Sequence, residues 1–336
     1  MSILSRLLLI SAFLGTLSGC STIYGTAGKT VYSFTENYAI PHTLKSTDTG
    51  YACSMSGSML PVLTTFSDIT RSPDLIATTM NMLMGLCAES VASEHLLSYA
   101  RAYREQNVNA AKDSRIKEKR AYAVAASRQY ASFQYLSAKY GEPGGKCPKI
   151  NKEDEIHWLL GNVAGLQAVL SDLKAESSVN VPKDIAMKAT RGLQCLDNEK
   201  WWGLPQAMQA GIWLMMPGSG PEGVDPWDEM KAAEKLGTKG GVRFAFAIEA
   251  IIADSTGHTQ ELKDAIRRYG ESMKENPGDK KYALIDVLSA EQIQIISDRL
   301  WTENTGSRTP FGGLGTFWDD VKVQNNTVNI DDLLED

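Results

Sequence analysis

The spacing of apolar residues constrains the fold more than any other feature of this sequence. Between residues 122 and 140, larger side chains recur at intervals of four and three positions, which places them on one face of a helix. Gly141 and Pro143 follow and predict the end of that helix. The period returns after residue 155, and no run alternates with the period of two typical of a strand. The sequence therefore predicts an all-α fold. The two clearest faces are Tyr122, Ala126, Gln129, Phe133, Leu136 and Tyr140, and Ile156, Leu159, Leu160, Val163, Leu166, Gln167, Leu170 and Leu173.

Glycine- and proline-containing segments divide the second half of the chain into separate helices. Pairs of helices begin near Glu155, Trp201 and Val242, a recurrence of about 40 to 46 residues that is somewhat longer than the tetratricopeptide unit. Such pairs bury both faces only by stacking on each other. This predicts a tetratricopeptide-like helical-repeat solenoid with a concave binding surface. An irregular helical domain without a repeat is the alternative.

The first residues predict export. A basic residue precedes an apolar stretch at residues 7–17, about eleven residues and too short to span a bilayer as a helix. Residues 17–20, Leu-Ser-Gly-Cys, match the pattern at which bacterial lipoproteins are cleaved and acylated. We expect residues 1–19 to be a signal peptide and Cys20 to carry acyl chains. We expect the outer membrane to hold this anchor by default, because Ser21 stands where an aspartate would favour retention in the inner membrane. An ordinary signal peptide with a chance cysteine is the alternative.

The rest of the chain divides by composition. Residues 20–45 are polar without a sustained period, and we expect them to form a tether between the acyl anchor and the fold. Residues 46–302 are predicted to form a single helical-repeat domain. Residues 303–336 contain several helix breakers and are predicted to be an irregular C-terminal tail. Large apolar side chains between residues 311 and 318 favour a tail that packs over the fold rather than a disordered one.

Cysteine content and charge narrow the class of protein. Four cysteines follow Cys20, and an even number in an exported protein predicts two disulfides. Of three possible pairings we favour consecutive pairing, Cys53 with Cys87 and Cys147 with Cys195, because it links neighbouring segments; four buried free thiols are the alternative. The formal net charge of -6 argues against nucleic acid as a partner, which would require a basic face.

Motifs for catalysis and cofactor binding are scarce. Residues 218–223 satisfy the G-x-G-x-x-G pattern but follow a helix and contain a proline, so no dinucleotide site is predicted. No Walker loop, nucleophile elbow or H-E-x-x-H pair occurs, and we expect no cofactor, no metal and no enzymatic activity. The sharpest enzyme hypothesis is a cell-wall glycosidase with Glu249 as its acid. One glutamate on an apolar helix is more often the partner of a buried arginine, here Arg243.

Tryptophans supply the candidate binding residues. The four candidates for contact with a ligand or partner are Trp158, Trp201, Trp202 and Trp213. On a helix, the adjacent Trp201 and Trp202 would point about 100 degrees apart and could not share one buried seam. We therefore expect one of the two to face a groove, a pore or a neighbouring subunit. The alternative is that both pack against adjacent helices.

Short segments along residues 46–304 carry a family resemblance. They are Lys119-Arg120, Gly141-Glu142-Pro143, Trp158-Leu159-Leu160-Gly161, Val181-Pro182-Lys183-Asp184, Trp201-Trp202-Gly203, Pro226-Trp227-Asp228 and a last helix around Ile293 to Trp301. In this layout the chain resembles the T-component lipoproteins of tripartite ATP-independent periplasmic (TRAP) transporters. Two features depart from that family: Gly223-Val224-Asp225 replaces Gly-Gly-Asp, and the four cysteines are extra.

The resemblance implies a periplasmic, non-enzymatic binding module with a tetratricopeptide-like fold. It also implies a homo-oligomer, a trimer in that family, that docks the solute-binding component of the transporter and passes a small organic or apolar ligand. An outer-membrane or cell-wall assembly scaffold that binds a protein partner is the alternative function.

Overall fold

A computed structural model describes residues 22–320. The predicted signal peptide, the acylation site Cys20 and residues 321–336 of the tail lie outside the described residues. Within residues 22–320 the chain is all-α and contains no strand, which confirms the predicted fold class. Eleven helices occur there: α1 (22–44), α2 (Thr49–Phe66), α3 (Asp74–Arg104), α4 (Val108–Tyr140), α5 (Glu155–Lys174), α6 (Ile185–Leu193), α7 (Leu204–Met215), α8 (Pro226–Gly240), α9 (Phe244–Ser255), α10 (Thr259–Glu275) and α11 (Ala283–Thr305).

Local sequence explains the bounds of α4. The Asn107 side chain accepts a hydrogen bond from the Ala110 amide at 3.1 Å and caps the start of the helix. The predicted apolar face is buried from Tyr122 to Leu136. The helix ends at Gly141, whose φ of 85° lies in the left-handed region that favours glycine. The predicted helix and its end are therefore both confirmed.

Residues 20–45 were predicted to be a tether, and the described part of this segment, residues 22–44, is helical instead. They form helix α1, which includes one π-helical turn at Thr35–Ala39. Tyr32 is buried against α2, and its hydroxyl donates to the Leu63 carbonyl at 2.8 Å. Apolar residues lie on both the buried and the exposed side of α1, so the sequence shows no single apolar face of helical period.

The helices pack mainly on their neighbours in the chain. α3 and α4 form a long hairpin that packs on α5, and α5 with α6, α7 with α8, and α9 with α10 form successive pairs. α11 then returns to the first half and packs on α3. At this junction the Arg104 guanidinium donates to the Glu303 carbonyl at 3.0 Å. In a repeat array each unit contacts only its neighbours. The closure of α11 on α3 departs from that pattern, so a repeat solenoid is not confirmed.

Two disulfides join segments of the fold. Cys53 bonds to Cys87 and links α2 to α3, whereas Cys147 bonds to Cys195 and ties the segment after α4 to the end of α6. The predicted consecutive pairing is confirmed. Paired cysteines of this kind are consistent with an extracytoplasmic protein, because cytosolic thiols are kept reduced.

One helix, α3, is long and apolar enough to cross a membrane by length and composition. Of its most apolar window, 72% is buried inside the fold. The neighbouring helices α2, α4, α5 and α11 cover it. In this structure α3 therefore serves as the central helix of the core.

The described part of the tail, residues 306–320, has no helix and packs over α10 and α11. Phe317 is buried, and the Trp318 ring meets the Trp301 ring edge to face at 5.9 Å. Asp320 pairs with Arg267 at 2.6 Å. For these residues the predicted packing of the tail over the fold is confirmed.

A buried histidine gives the fold a pH dependence. His157 lies in α5 with its Nδ1 2.7 Å from the Thr79 hydroxyl, and burial lowers its pKa from 6.5 to about 4. Between these values the unfolded chain binds a proton that the folded chain does not, so stability is lost as pH falls. We expect the free energy of unfolding to drop by about 1 kcal/mol for each pH unit below 6.5. Unfolding of His157→Gln by urea at several pH values should show a smaller drop, and exposed His42→Gln should behave as the parent.

Candidate functional site

A cavity lies where the two halves of the chain meet. Its volume is about 360 Å³, and five helices, α3, α4, α5, α9 and α11, line it. It exists because α11 closes on α3 and leaves a space between the first helices and α9. Its polar lining residues are Glu89, Ser93, Arg115, Glu118, Tyr122, Gln167, Lys174, Asp254, Ser255, Gln292, Arg299 and Glu303.

Most charges of the cavity are already paired within the wall. Arg115 contacts Glu118 at 2.6 Å, and Arg299 contacts Glu303 at 2.8 Å as well as Asp254. Glu89 accepts hydrogen bonds from the Gln129 amide and the Ser171 hydroxyl, both at 2.8 Å. These pairs fix the wall and leave little free charge for a ligand.

Two polar side chains of α5, Lys174 and Gln167, are not paired in this way. The Lys174 ammonium lies 3.4 Å from the Tyr122 hydroxyl and 4.8 Å from the centre of its ring, and among residues 22–320 no carboxylate lies within ion-pair distance of it. Lys174 is an exposed residue at the edge of the cavity. Desolvation lowers the pKa of its ammonium, but Tyr122 and Glu89 raise it by more, so the pKa lies above its ordinary value. Gln167 is only 9% exposed, and its Oε1 has no hydrogen-bond partner.

Gln167 and Lys174 are seven positions apart, two helical turns, and therefore share one face of α5. A buried acceptor without a partner costs free energy that a ligand donor would recover. Together with the Tyr122 hydroxyl they form a donor and acceptor set suited to a small polar molecule. Lys174 was not among the residues predicted from the sequence. The only local signal was Gln167, a polar residue within the apolar face predicted for α5.

An open groove of about 1090 Å³ adjoins the cavity at the end of the α3–α4 hairpin. The cavity and the groove share two lining residues, Arg115 and Glu303. Tyr99, Tyr103 and Val108 give the groove an apolar side, and Tyr103 and Val108 are exposed. The groove is thus a second open surface, continuous with the cavity at Arg115 and Glu303.

The hairpin end is basic although the whole chain is acidic. Residues 101–120 contain seven basic and three acidic residues, a formal charge of +4 against -6 for the chain. A patch of this sign attracts acidic partners and accelerates their encounter.

The structure places the adjacent tryptophans in the core. Trp201 and Trp202 are 2% and 5% exposed, and both rings pack on Tyr282. The expectation that one of the two faces a groove is not met. Its premise of a helix fails, since these residues lie in a turn before α7 and Trp202 has a φ of 56°. This backbone conformation lets both side chains pack into the same part of the core.

The other candidate tryptophans also lie away from the cavity. Trp158 is buried and its Nε1 donates to the Gly192 carbonyl at 2.8 Å. Trp213 is partly buried near the end of α7 and packs against the core. The structure therefore brings none of the four tryptophans to the cavity wall.

Glu249, the candidate glycosidase acid, is fully buried in α9. It pairs with Arg268 at 2.7 Å, and Arg268 also contacts Glu234 at 2.8 Å. The sequence suggested Arg243 as the partner of Glu249. This prediction is wrong, because Arg243 contacts Asp286 instead. Burial raises the pKa of Glu234 above its ordinary value, Arg268 opposes this rise, and the adjacent Glu249 adds to it. The cluster joins α8, α9 and α10; Glu234 and Arg268 also line an open cavity of about 440 Å³, whereas Glu249 itself does not reach it.

Comparison with known proteins finds no matching family model, no similar curated protein and no similar solved structure. Among residues 22–320, no group of three or more histidine, cysteine, aspartate or glutamate side chains is arranged to hold a metal ion.

Proposed function

We propose that this protein is a lipid-anchored extracytoplasmic binding module that holds a small organic carboxylate in the cavity between its two halves. The supporting observation is the Lys174 ammonium, which lines the cavity without a carboxylate partner among residues 22–320, together with the unpartnered carbonyl of Gln167 in the same wall. A ligand carboxylate would pair with Lys174, and a hydroxyl or amine of the same ligand would donate to Gln167. The volume lies at the lower end of the range for small-molecule sites.

We propose further that it acts as an accessory of a TRAP-type transporter. The resemblance in layout supports this, as does the basic hairpin end, which offers an acidic soluble protein such as a solute-binding component a docking surface at the cavity mouth. The pairs α5–α6, α7–α8 and α9–α10 support a tetratricopeptide-like arrangement that α11 closes. In this proposal Cys20 carries the acyl anchor, the outer membrane holds it, and the protein assembles as a homo-oligomer.

A scaffold for outer-membrane or cell-wall assembly is the second candidate, because the exposed Tyr103 and Val108 beside the groove also suit a peptide partner. Cross-linking from Tyr103 in intact cells distinguishes the two candidates. Recovery of a solute-binding protein supports the transporter role, and recovery of an envelope assembly protein supports the scaffold.

Replacing Lys174 by glutamine should weaken carboxylate binding about 10- to 100-fold, because the ligand loses a charge-assisted hydrogen bond. Isothermal titration with lactate, succinate and glutamate measures the loss. Exposed Lys152, outside the cavity, supplies the matched control, and Lys152→Gln should bind as the parent. If none of these probes binds, or if Lys174→Gln binds them equally well, the cavity is not a carboxylate site.

A further inference from the structure

Helix α1 carries an exposed apolar stripe. Ile23, Phe34 and Tyr38 are 68%, 56% and 67% exposed, and the Phe34 and Tyr38 rings stack with their centres 5.9 Å apart. Helical spacing places them on one side together with Ala27 and Thr30. The opposite side, which includes Tyr32, Thr35 and Ile40, is buried against the fold. The stripe is therefore the face of α1 that no other residue between 22 and 320 covers.

The composition of the stripe fits a membrane surface. It contains no charged residue, and Glu36 at its side contacts Arg71 at 3.5 Å. Aromatic side chains with one polar end concentrate where lipid headgroups meet acyl chains. A helix with one apolar face and low overall hydrophobicity binds there in the plane of the interface. By contrast, the exposed aromatic Tyr103 at the hairpin end lies among basic residues.

The position of the stripe relative to the predicted anchor favours lipid as its occupant. Ile23 lies three positions after Cys20, at most about 10 Å of extended chain. An acylated Cys20 therefore keeps the start of α1 at the membrane. From Ile23 to Tyr38 the helix rises about 22 Å. Standing upright, it would leave Phe34 and Tyr38 in water; lying flat, it places the whole stripe at the interface.

We propose that α1 lies along the membrane surface, with Ile23, Phe34 and Tyr38 in the headgroup region. This inference goes beyond ligand binding and rests on the proposed acylation of Cys20 for its geometry. The start of α3 lies close to α1, since Arg71 contacts Glu36 just before α3 begins. The basic hairpin end is at the other end of this 31-residue helix, about 45 Å along its axis. The two surfaces are therefore well separated for a membrane and a soluble partner.

Site-directed fluorescence tests the proposal on the mature, membrane-extracted protein in vesicles of phosphatidylethanolamine and phosphatidylglycerol. An environment-sensitive dye is attached to a new thiol in Phe34→Cys, Tyr38→Cys or the control Tyr103→Cys, while the disulfides leave no other thiol among the described cysteines. All three positions are exposed, so the fold should tolerate each change. We expect lipid-borne quenchers to act several-fold more strongly at positions 34 and 38 than at 103. Equal quenching by lipid at all three positions overturns the proposal.

Two further measurements separate the possible failures. Mass spectrometry of the N-terminal peptide shows whether Cys20 is acylated, independently of the dyes. If it is not acylated but dyes at positions 34 and 38 still enter lipid, the anchor is wrong and the membrane surface stands. If these dyes are shielded from water to the same degree without vesicles, a second copy of the chain covers the stripe and the proposal is overturned.

Discussion

Replacing Cys147 and Cys195 together by serine should lower the free energy of unfolding by about 4 kcal/mol, a large share of the stability of a protein of this kind. The bond closes a loop across a sequence separation of 48. In the unfolded chain it removes many conformations, and without it the unfolded state gains entropy. Chemical denaturation of the double variant, compared with the parent in the presence and absence of a reducing agent, measures the loss.

Removing the other disulfide tests whether the entropy of the unfolded chain is the physical reason for this loss. Cys53 and Cys87 have a sequence separation of 34, and loop-closure entropy depends only on the logarithm of loop length. Removing this pair should therefore cost a similar amount, although it joins two packed helices and the first pair ties down a segment without helix. A loss confined to one pair would show that local packing, not the entropy of the unfolded chain, determines the effect.

The helices could be predicted because their signal is the local spacing of apolar residues. The disulfides could be predicted because the cysteines can be counted in the sequence. The face of α4 from Tyr122 to Leu136 is buried as its period indicates, and Gly141 ends the helix. The cysteine pairing followed from number and order. Helix α1 escaped prediction because apolar residues lie on both its buried and its exposed side, and the exposed Phe34 and Tyr38 disrupt any apolar period.

The candidate site could not be predicted, because it depends on closure of the chain. Tyr122 from α4, Lys174 from α5 and Arg299 from α11 meet only when α11 packs on α3, and no short segment contains this information. The prediction that one of Trp201 and Trp202 faces a groove failed for a different reason. The left-handed backbone of Trp202 is rare for a bulky residue, so helical geometry was the wrong premise.

Arg243 is a buried charge that bonds to several helices in the second half of the fold. It is 2% exposed at the start of α9, and its guanidinium bonds to Asp286 at 2.7 Å. It also donates to the Ser272 hydroxyl at 3.0 Å and to the Asn276 carbonyl at the end of α10. One side chain thus joins three helices, and burial raises the pKa of Asp286 while Arg243 opposes that rise.

Replacing Arg243 by methionine should lower the free energy of unfolding by about 3 to 5 kcal/mol, because Asp286 Oδ2 and the carbonyls of Ser272 and Asn276 lose their guanidinium donor. Thermal and urea unfolding measure the loss. Lys117→Met provides the matched control, since Lys117 makes only an exposed pair with Asp113 and should cost less than about 1 kcal/mol. Adding Asp286→Leu to Arg243→Met should restore part of the stability, because the unpaired buried charge disappears. If the double variant is no more stable than Arg243→Met, the arginine stabilises the fold through its bonds to α10, and its pairing with Asp286 contributes little.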